Sequence, residues 1–110
     1  MNVAPVERID QAIDSGLEYV PGDPVLVHVV QRGRRYLVTD DGAAIARAGR
    51  PDGWRDAARQ AVDEDALNLS RSGRVFVPAV EGGCAIDSLV ERVAAASLAV
   101  FQDVLELDAS

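Results

Sequence analysis

The chain has 110 residues, 48% of them hydrophobic, and a net charge of −7. That length sets a single domain, residues 1–110, able to bury roughly 65% of its extended surface in one core, and the composition excludes a disordered chain. The one cysteine, Cys84, excludes an internal disulfide and with it a disulfide-held secreted fold.

The N-terminal segment, residues 1–20, reads as a helix. Val6, Ile9, Ile13, Leu17 and Val20 recur at spacings of three and four, with Glu7, Arg8, Asp10, Asp14 and Glu18 off that stripe. Pro5 suits a first turn and Gly16 weakens the end. Met1 to Pro5 shows no basic segment leading into an apolar run, so a reduced, cytoplasmic setting is expected. Pro21-Gly22-Asp23-Pro24 breaks the chain.

Val25 to Val30 is a strand, apolar on both alternate faces except at His28, so it is expected to be covered on both sides. Gln31-Arg32-Gly33-Arg34-Arg35 is a hairpin turn, and Tyr36 to Thr39 the returning strand. Thr39 or Asp40 is placed to cap a short helix that Gly49 stops. A second helix opens at Asp52, with Trp54, Ala57, Ala58, Ala61 and Val62 on its less polar side and the acids Asp63-Glu64-Asp65 weakening its far end. A helix-turn-helix about Gly49 fits poorly, because it puts Arg55 where an apolar residue is wanted.

Leu67 to Ser70 alternates as a strand, Arg71-Ser72-Gly73-Arg74 is a second turn, and Val75-Phe76-Val77 returns, with Pro78 restricting it to an edge or an end. A long helix then runs from about Ala85 to Leu107. Its apolar surface is wider than one stripe, which means a central place in the core or a shared surface with a partner. The longest uncharged run, Val93 to Gln102, is too short to span a bilayer. A weak repeat at an offset of 40 aligns Arg34 with Arg74, Tyr36 with Phe76, Leu37 with Val77, Asp41 with Glu81 and Gly42 with Gly82. The expected order is α-β-β-α-α-β-β-α. This is an α+β fold with two β-hairpins in antiparallel sheet, packed by N-terminal, middle and long C-terminal helices.

All eleven basic residues are arginine, as GC-rich coding favours. Nine of them lie in residues 32–74 against seven acids, while residues 1–31 carry one against five and residues 75–110 one against six. The acidic total works against sequence-independent binding to a phosphate backbone but allows a local basic face mid-chain. Arg32, Arg34 and Arg35 in the first turn and Arg71 and Arg74 in the second form one basic edge if the hairpins lie side by side. Such an edge would suit an anionic protein or nucleic acid, although turns also carry arginine for solubility alone.

The remaining chemistry is sparse. Asp40 and Asp41 are adjacent carboxylates with no further ligand at recognisable spacing, so capping explains them better than a metal or a shared proton. His28, the single histidine, has no Cys or acid at metal spacing and reads as structural. Cys84 lacks a near partner, and Gly82-Gly83 is not a phosphate loop. No catalytic constellation, metal site or cofactor is expected.

The corner Tyr36-Leu37-Val38-Thr39-Asp40-Asp41-Gly42 resembles that of an uncharacterised family of bacterial and phage proteins, domain of unknown function 1828. That family reads as Gly-Asp, an apolar strand, a turn and a Tyr-x-Leu-Thr-Asp-Asp-Gly corner. The counterparts here are Gly22-Asp23, Val25 to Val30 and Tyr36 to Gly42, with Val38 in place of leucine, and the resemblance spans residues 21–107. It carries no activity, but implies accessory or regulatory roles in mobile elements. The expected function is a non-enzymatic interaction protein, of phage, defence or toxin–antitoxin origin, that binds a protein partner and dimerises through its C-terminal helix. The alternatives are a nucleic-acid-binding regulator using the arginine turns and a metal-dependent hydrolase using Asp40 or Asp41.

Overall fold

The computed structural model describes residues 8–64, 66–80 and 86–109. In chain order these form β1 (Arg8–Val20), β2 (Asp23–Arg32), β3 (Arg35–Thr39), α1 (Ala43–Ala48), α2 (Trp54–Asp63), β4 (Asn68–Leu69), β5 (Val75–Val80) and α3 (Ile86–Ala109). The strands make one antiparallel sheet in the order β1-β2-β3-β5-β4. The α+β class and its long C-terminal helix are as expected, and the two hairpins share a single sheet. The repeat partners Glu81 and Gly82, and Cys84, lie outside the described residues.

The N-terminal segment is a strand and not the expected helix. Ile13 pairs Val27 and Gln11 pairs Val29, with irregular register between Asp14 and Glu18. Gly16, at φ 84°, sits in that bulge. There Ser15 Oγ donates to the Val25 carbonyl (2.7 Å), and the Asp14 carboxylate accepts the Gly16 N–H (2.9 Å). The bulge places two extra residues between the pairs Asp14–Leu26 and Glu18–Pro24, which interrupts the strand alternation there. A valine-rich β2 presents an open edge that β1 satisfies, and this long-range pairing overrides a local helical preference made weak by Ser15 and Gly16. Consequently Tyr19 is buried, while Leu17 and Val20 of the supposed apolar stripe are exposed.

The pleat sorts the sheet into two faces. Val25, Val27, Val29, Val38 and Val75 point to one face and are buried under α3. α3 lies between the sheet and the α1–α2 pair, touching both. Leu89, Val93 and Val100 are among its core residues, and Ala94, Ala96 and Ser97 allow close approach. Most of its wide apolar surface is therefore consumed inside the chain, with Leu105 and Leu107 left exposed. β2 is covered on one side only, contrary to expectation: Leu26, His28 and Val30 face away from the helices, and Leu26 is 37% exposed. The repeat at offset 40 does not extend to geometry. Tyr36 shares the helix-side face with Val38, whereas Phe76 pairs with Thr39 on the other face. Pro78 sits beyond the reach of β4, which pairs only Val75 and Phe76, so β5 is itself the edge there.

Candidate functional site: a closed carboxylate corner, an arginine cleft and an open sheet face

The corner after β3 is built around Asp40, which is fully buried. One carboxylate oxygen, Oδ1, accepts the N–H of Gly42 (2.8 Å) and of Val75 (2.9 Å). The other, Oδ2, accepts the Ser97 hydroxyl (2.7 Å), and Ser97 in turn shares a 2.7 Å hydrogen bond with the Tyr19 hydroxyl. Thr39 Oγ1 donates to the Val75 carbonyl (2.8 Å) and accepts the Asp41 N–H (3.0 Å). Asp40 thus ties the end of β3 to β5 and α3 and, through Ser97, to β1. Burial pushes the Asp40 carboxyl above the usual carboxylate range, against the opposing pull of the hydrogen bonds from Ser97, Gly42 and Val75. Burial likewise raises Tyr19.

Neither Thr39 nor Asp40 occupies the capping position of α1, although the Ala44 N–H of its first turn is among the donors that pull the Asp40 carboxyl down. The residue before the helix is Gly42, at φ 79°, and it contributes no side-chain cap. The two side chains instead hold tight turns that reverse the chain ahead of the helix. Asp41, at φ 56°, points outward to Arg74 at 3.7 Å, so the adjacent carboxylates diverge. Among the described residues no three His, Cys, Asp or Glu side chains are grouped to hold a metal ion. His28 meets Asp10 of β1, Nδ1 to Oδ1 at 3.3 Å, and neither acid of the corner.

The arginine turns do not form one edge. Arg35 pairs opposite Val80 and Thr39 opposite Phe76, so the β2–β3 turn and the β4–β5 turn lie at opposite ends of the sheet. Four strand residues alone separate them by about 13 Å. Arg32, Arg34 and Arg35 therefore stand apart from Arg71 and Arg74.

A different cluster forms where the α1–α2 connection meets the β4–β5 turn. Arg50 donates to the Ser72 carbonyl (2.9 Å), and Arg55 donates to the Arg71 carbonyl. Both guanidinium groups stack on Trp54, 5.5 and 5.0 Å from its ring centroid. Gly73 lies against Ile45 and Trp54, so closely that only a residue without Cβ fits. Between these segments is an open cleft of about 540 Å³, lined by residues that include Asp41, Gly42, Gly49, Arg50, Ser72 and Arg74. Arg50, Arg55 and Trp54 are the members sequence reasoning missed. The clue was two arginines within five residues of the single tryptophan, beside a glycine that ends a helix. Nearby, Arg47 grips Asp23 with two hydrogen bonds (2.6 and 2.9 Å) and holds that carboxyl below the usual range.

The third feature is the sheet face without helices. It carries Leu26, Val30, Leu37, Phe76, Pro78 and Val80, with Val80 59% exposed, together with His28, Arg35 and, on β1, Asp10 and Asp14. No described helix is long and apolar enough to cross a membrane. No family model, curated protein or solved structure matches the chain.

Proposed function

We propose that the chain is a small non-enzymatic interaction protein with a regulatory role, and that its partner-binding surface is the helix-free face of the sheet. The observation that carries this reading is a five-stranded sheet with helices on one side only, whose other side exposes an apolar strip that includes Leu26, Pro78 and Val80, bordered on β1 by Asp10 and Asp14. An apolar patch of that kind on a small chain marks an interface. The corner supports a non-enzymatic role, because both oxygens of Asp40 are occupied by internal donors. The resemblance of the Tyr36–Gly42 corner supports an origin in phage, defence or toxin–antitoxin systems, in a cytoplasmic setting.

A second copy is the occupant the dimensions favour. Five strands at a spacing of about 4.8 Å and roughly six residues at about 3.3 Å give a footprint on the order of 400 to 500 Å² per copy. Two such faces sit at the low end of specific interfaces, which corresponds to a weak, concentration-dependent dimer. α3 is a poorer interface than its composition suggests, since little beyond Leu105 and Leu107 remains exposed on it.

Sedimentation equilibrium across a concentration series tests this. The chain is expected to dimerise, and Leu26→Asp or Val80→Asp is expected to leave a folded monomer, because each would bury an unpaired charge in the interface. Leu105→Asp, on α3, is expected to change nothing. A wild-type monomer at every concentration defeats self-association, and a dimer broken only by Leu105→Asp relocates the interface to α3.

A further inference from the structure

We infer that the cleft between the α1–α2 connection and the β4–β5 turn is a binding site for a phosphate-bearing ligand, with Arg50 and Arg74 as its principal contacts and Arg55 beside them. This site is separate from the open sheet face, and its test is independent of dimerisation.

The argument begins with charge that the fold does not use. In a chain of net charge −7, acids are abundant enough to neutralise every arginine. Arg47 shows what neutralisation looks like here, a two-pronged pair with Asp23. Among the described residues, Arg50 and Arg55 have no such partner. Their hydrogen bonds go to the carbonyls of Ser72 and Arg71, and their flat faces rest on one indole ring. Bringing two cations to the same ring costs repulsion, and among the described residues neither has an ion pair to offset it. An arriving anion would remove it.

The guanidinium groups are also held in place. A carbonyl and an aromatic face fix each head while leaving most of its five N–H donors free. Pre-fixed donors lose less entropy on binding than free side chains do. Arg74 enters from the other wall, and among the described residues its side chain has one polar contact, with Asp41 at a loose 3.7 Å. An incoming anion can displace that contact. Phosphate matches the arrangement because its several oxygens can accept from donors on two walls, whereas a single carboxylate has one flat edge. Trp54 has cations stacked on it already and is not offered to a base, so recognition rests on the phosphate. The cleft volume, about 540 Å³, admits a nucleotide-sized group. The acidic remainder of the chain opposes a long polyanion running beyond it.

Isothermal titration of the full chain with inorganic pyrophosphate at low salt is the test. Saturable binding with a Kd below about 1 mM is expected. Arg74→Gln is expected to weaken it roughly tenfold, one charge-assisted contact. The Arg74 side chain is largely exposed and, among the described residues, its one polar contact is with Asp41; its turn hydrogen bonds to Ser70 are made by the backbone, so this variant is expected to keep the fold intact. Arg50→Gln should weaken binding similarly, Arg35→Gln at the far end of the sheet should not, and Asp41→Asn should tighten it by freeing Arg74. A short oligodeoxythymidylate that binds tighter than pyrophosphate supports the cleft and names nucleic acid as the phosphate source. Equal or weaker binding supports it and names a small phosphorylated ligand. Absence of saturable pyrophosphate binding, or binding untouched by Arg74→Gln, overturns the site. Tighter binding of polyglutamate overturns the assignment to phosphate.

Discussion

Asp40→Ala is expected to lose about 3 to 5 kcal/mol of stability, a large share of the roughly 5 to 15 kcal/mol a domain of this size holds. The substitution strips the acceptor from the Gly42 N–H, the Val75 N–H and the Ser97 hydroxyl in a site that water does not reach. A buried donor left without a partner costs about 1 to 3 kcal/mol. Relief from burying a carboxylate offsets part of the sum. At about 4 to 8 °C per kcal/mol for a small domain, a Tm fall of at least about 12 °C should appear in a thermal melt. A fall of only a degree or two would mean that the corner is not a junction of the fold.

The same residue predicts a pH dependence. Burial, the largest influence on it, raises the Asp40 carboxyl above its unfolded value. The folded chain therefore holds this proton more tightly than the unfolded chain. The stabilising contribution is fully present below about pH 4, the ordinary aspartate value. It is lost as pH rises through the raised folded value. Asp40→Asn keeps an acceptor for Gly42 and Val75 and removes the titration. Compared with wild type, the Asn variant should gain relative stability as pH rises from about 4 towards neutrality. The comparison cancels groups of opposite sense such as Asp23, whose carboxyl is lowered by Arg47. Urea unfolding at several pH values reads it, and parallel curves for the two proteins would refute it.

Gly73→Ala is the second large effect, expected at about 3 kcal/mol. The residue sits at φ 93°, where an L side chain is strained. A Cβ there would stand 2.8 Å from Ile45 Cγ1 and 3.2 Å from Trp54 Cζ3, so overpacking adds to the strain. Gly22→Ala separates the two causes. Gly22 has a similar φ of 87° but nothing within 4 Å of the added atom, so it should show the strain alone, about 1 kcal/mol. Equal losses in the two variants would remove the packing argument. A displaced Trp54 should also loosen Arg50 and Arg55, so Gly73→Ala should weaken pyrophosphate binding along with stability.

The sites differ in how readable they were. The Thr39–Gly42 corner stood out because carboxylates and a glycine at a strand end have strong local preferences. Its actual partners, Ser97 and Tyr19, are 57 and 78 residues away in the chain, and no local rule connects them. The arginine cleft was half visible through Arg71 and Arg74. Its other half depended on which turn the α1–α2 connection would meet. The basic edge foreseen from the hairpin turns failed because β3 and β5 pair antiparallel, which sends Arg35 and Arg74 to opposite ends of the sheet.

By itself the sequence determined the elements whose signals are local. The β2–β3 hairpin, the glycine stop at Gly49, the α2 face of Ala58, Ala61 and Val62, and the long α3 all follow from periodicity and turn chemistry. The tertiary structure alone decided the rest. It made residues 8–20 a strand, because the open edge of β2 outweighed a weak helical stripe. It placed α3 between sheet and helices, which consumed the apolar surface that pointed to a helical dimer. It left one sheet face bare, because all the described helices lie on the other. Strand pairing and layer order are settled between residues far apart in the chain, where neighbouring side chains carry no information.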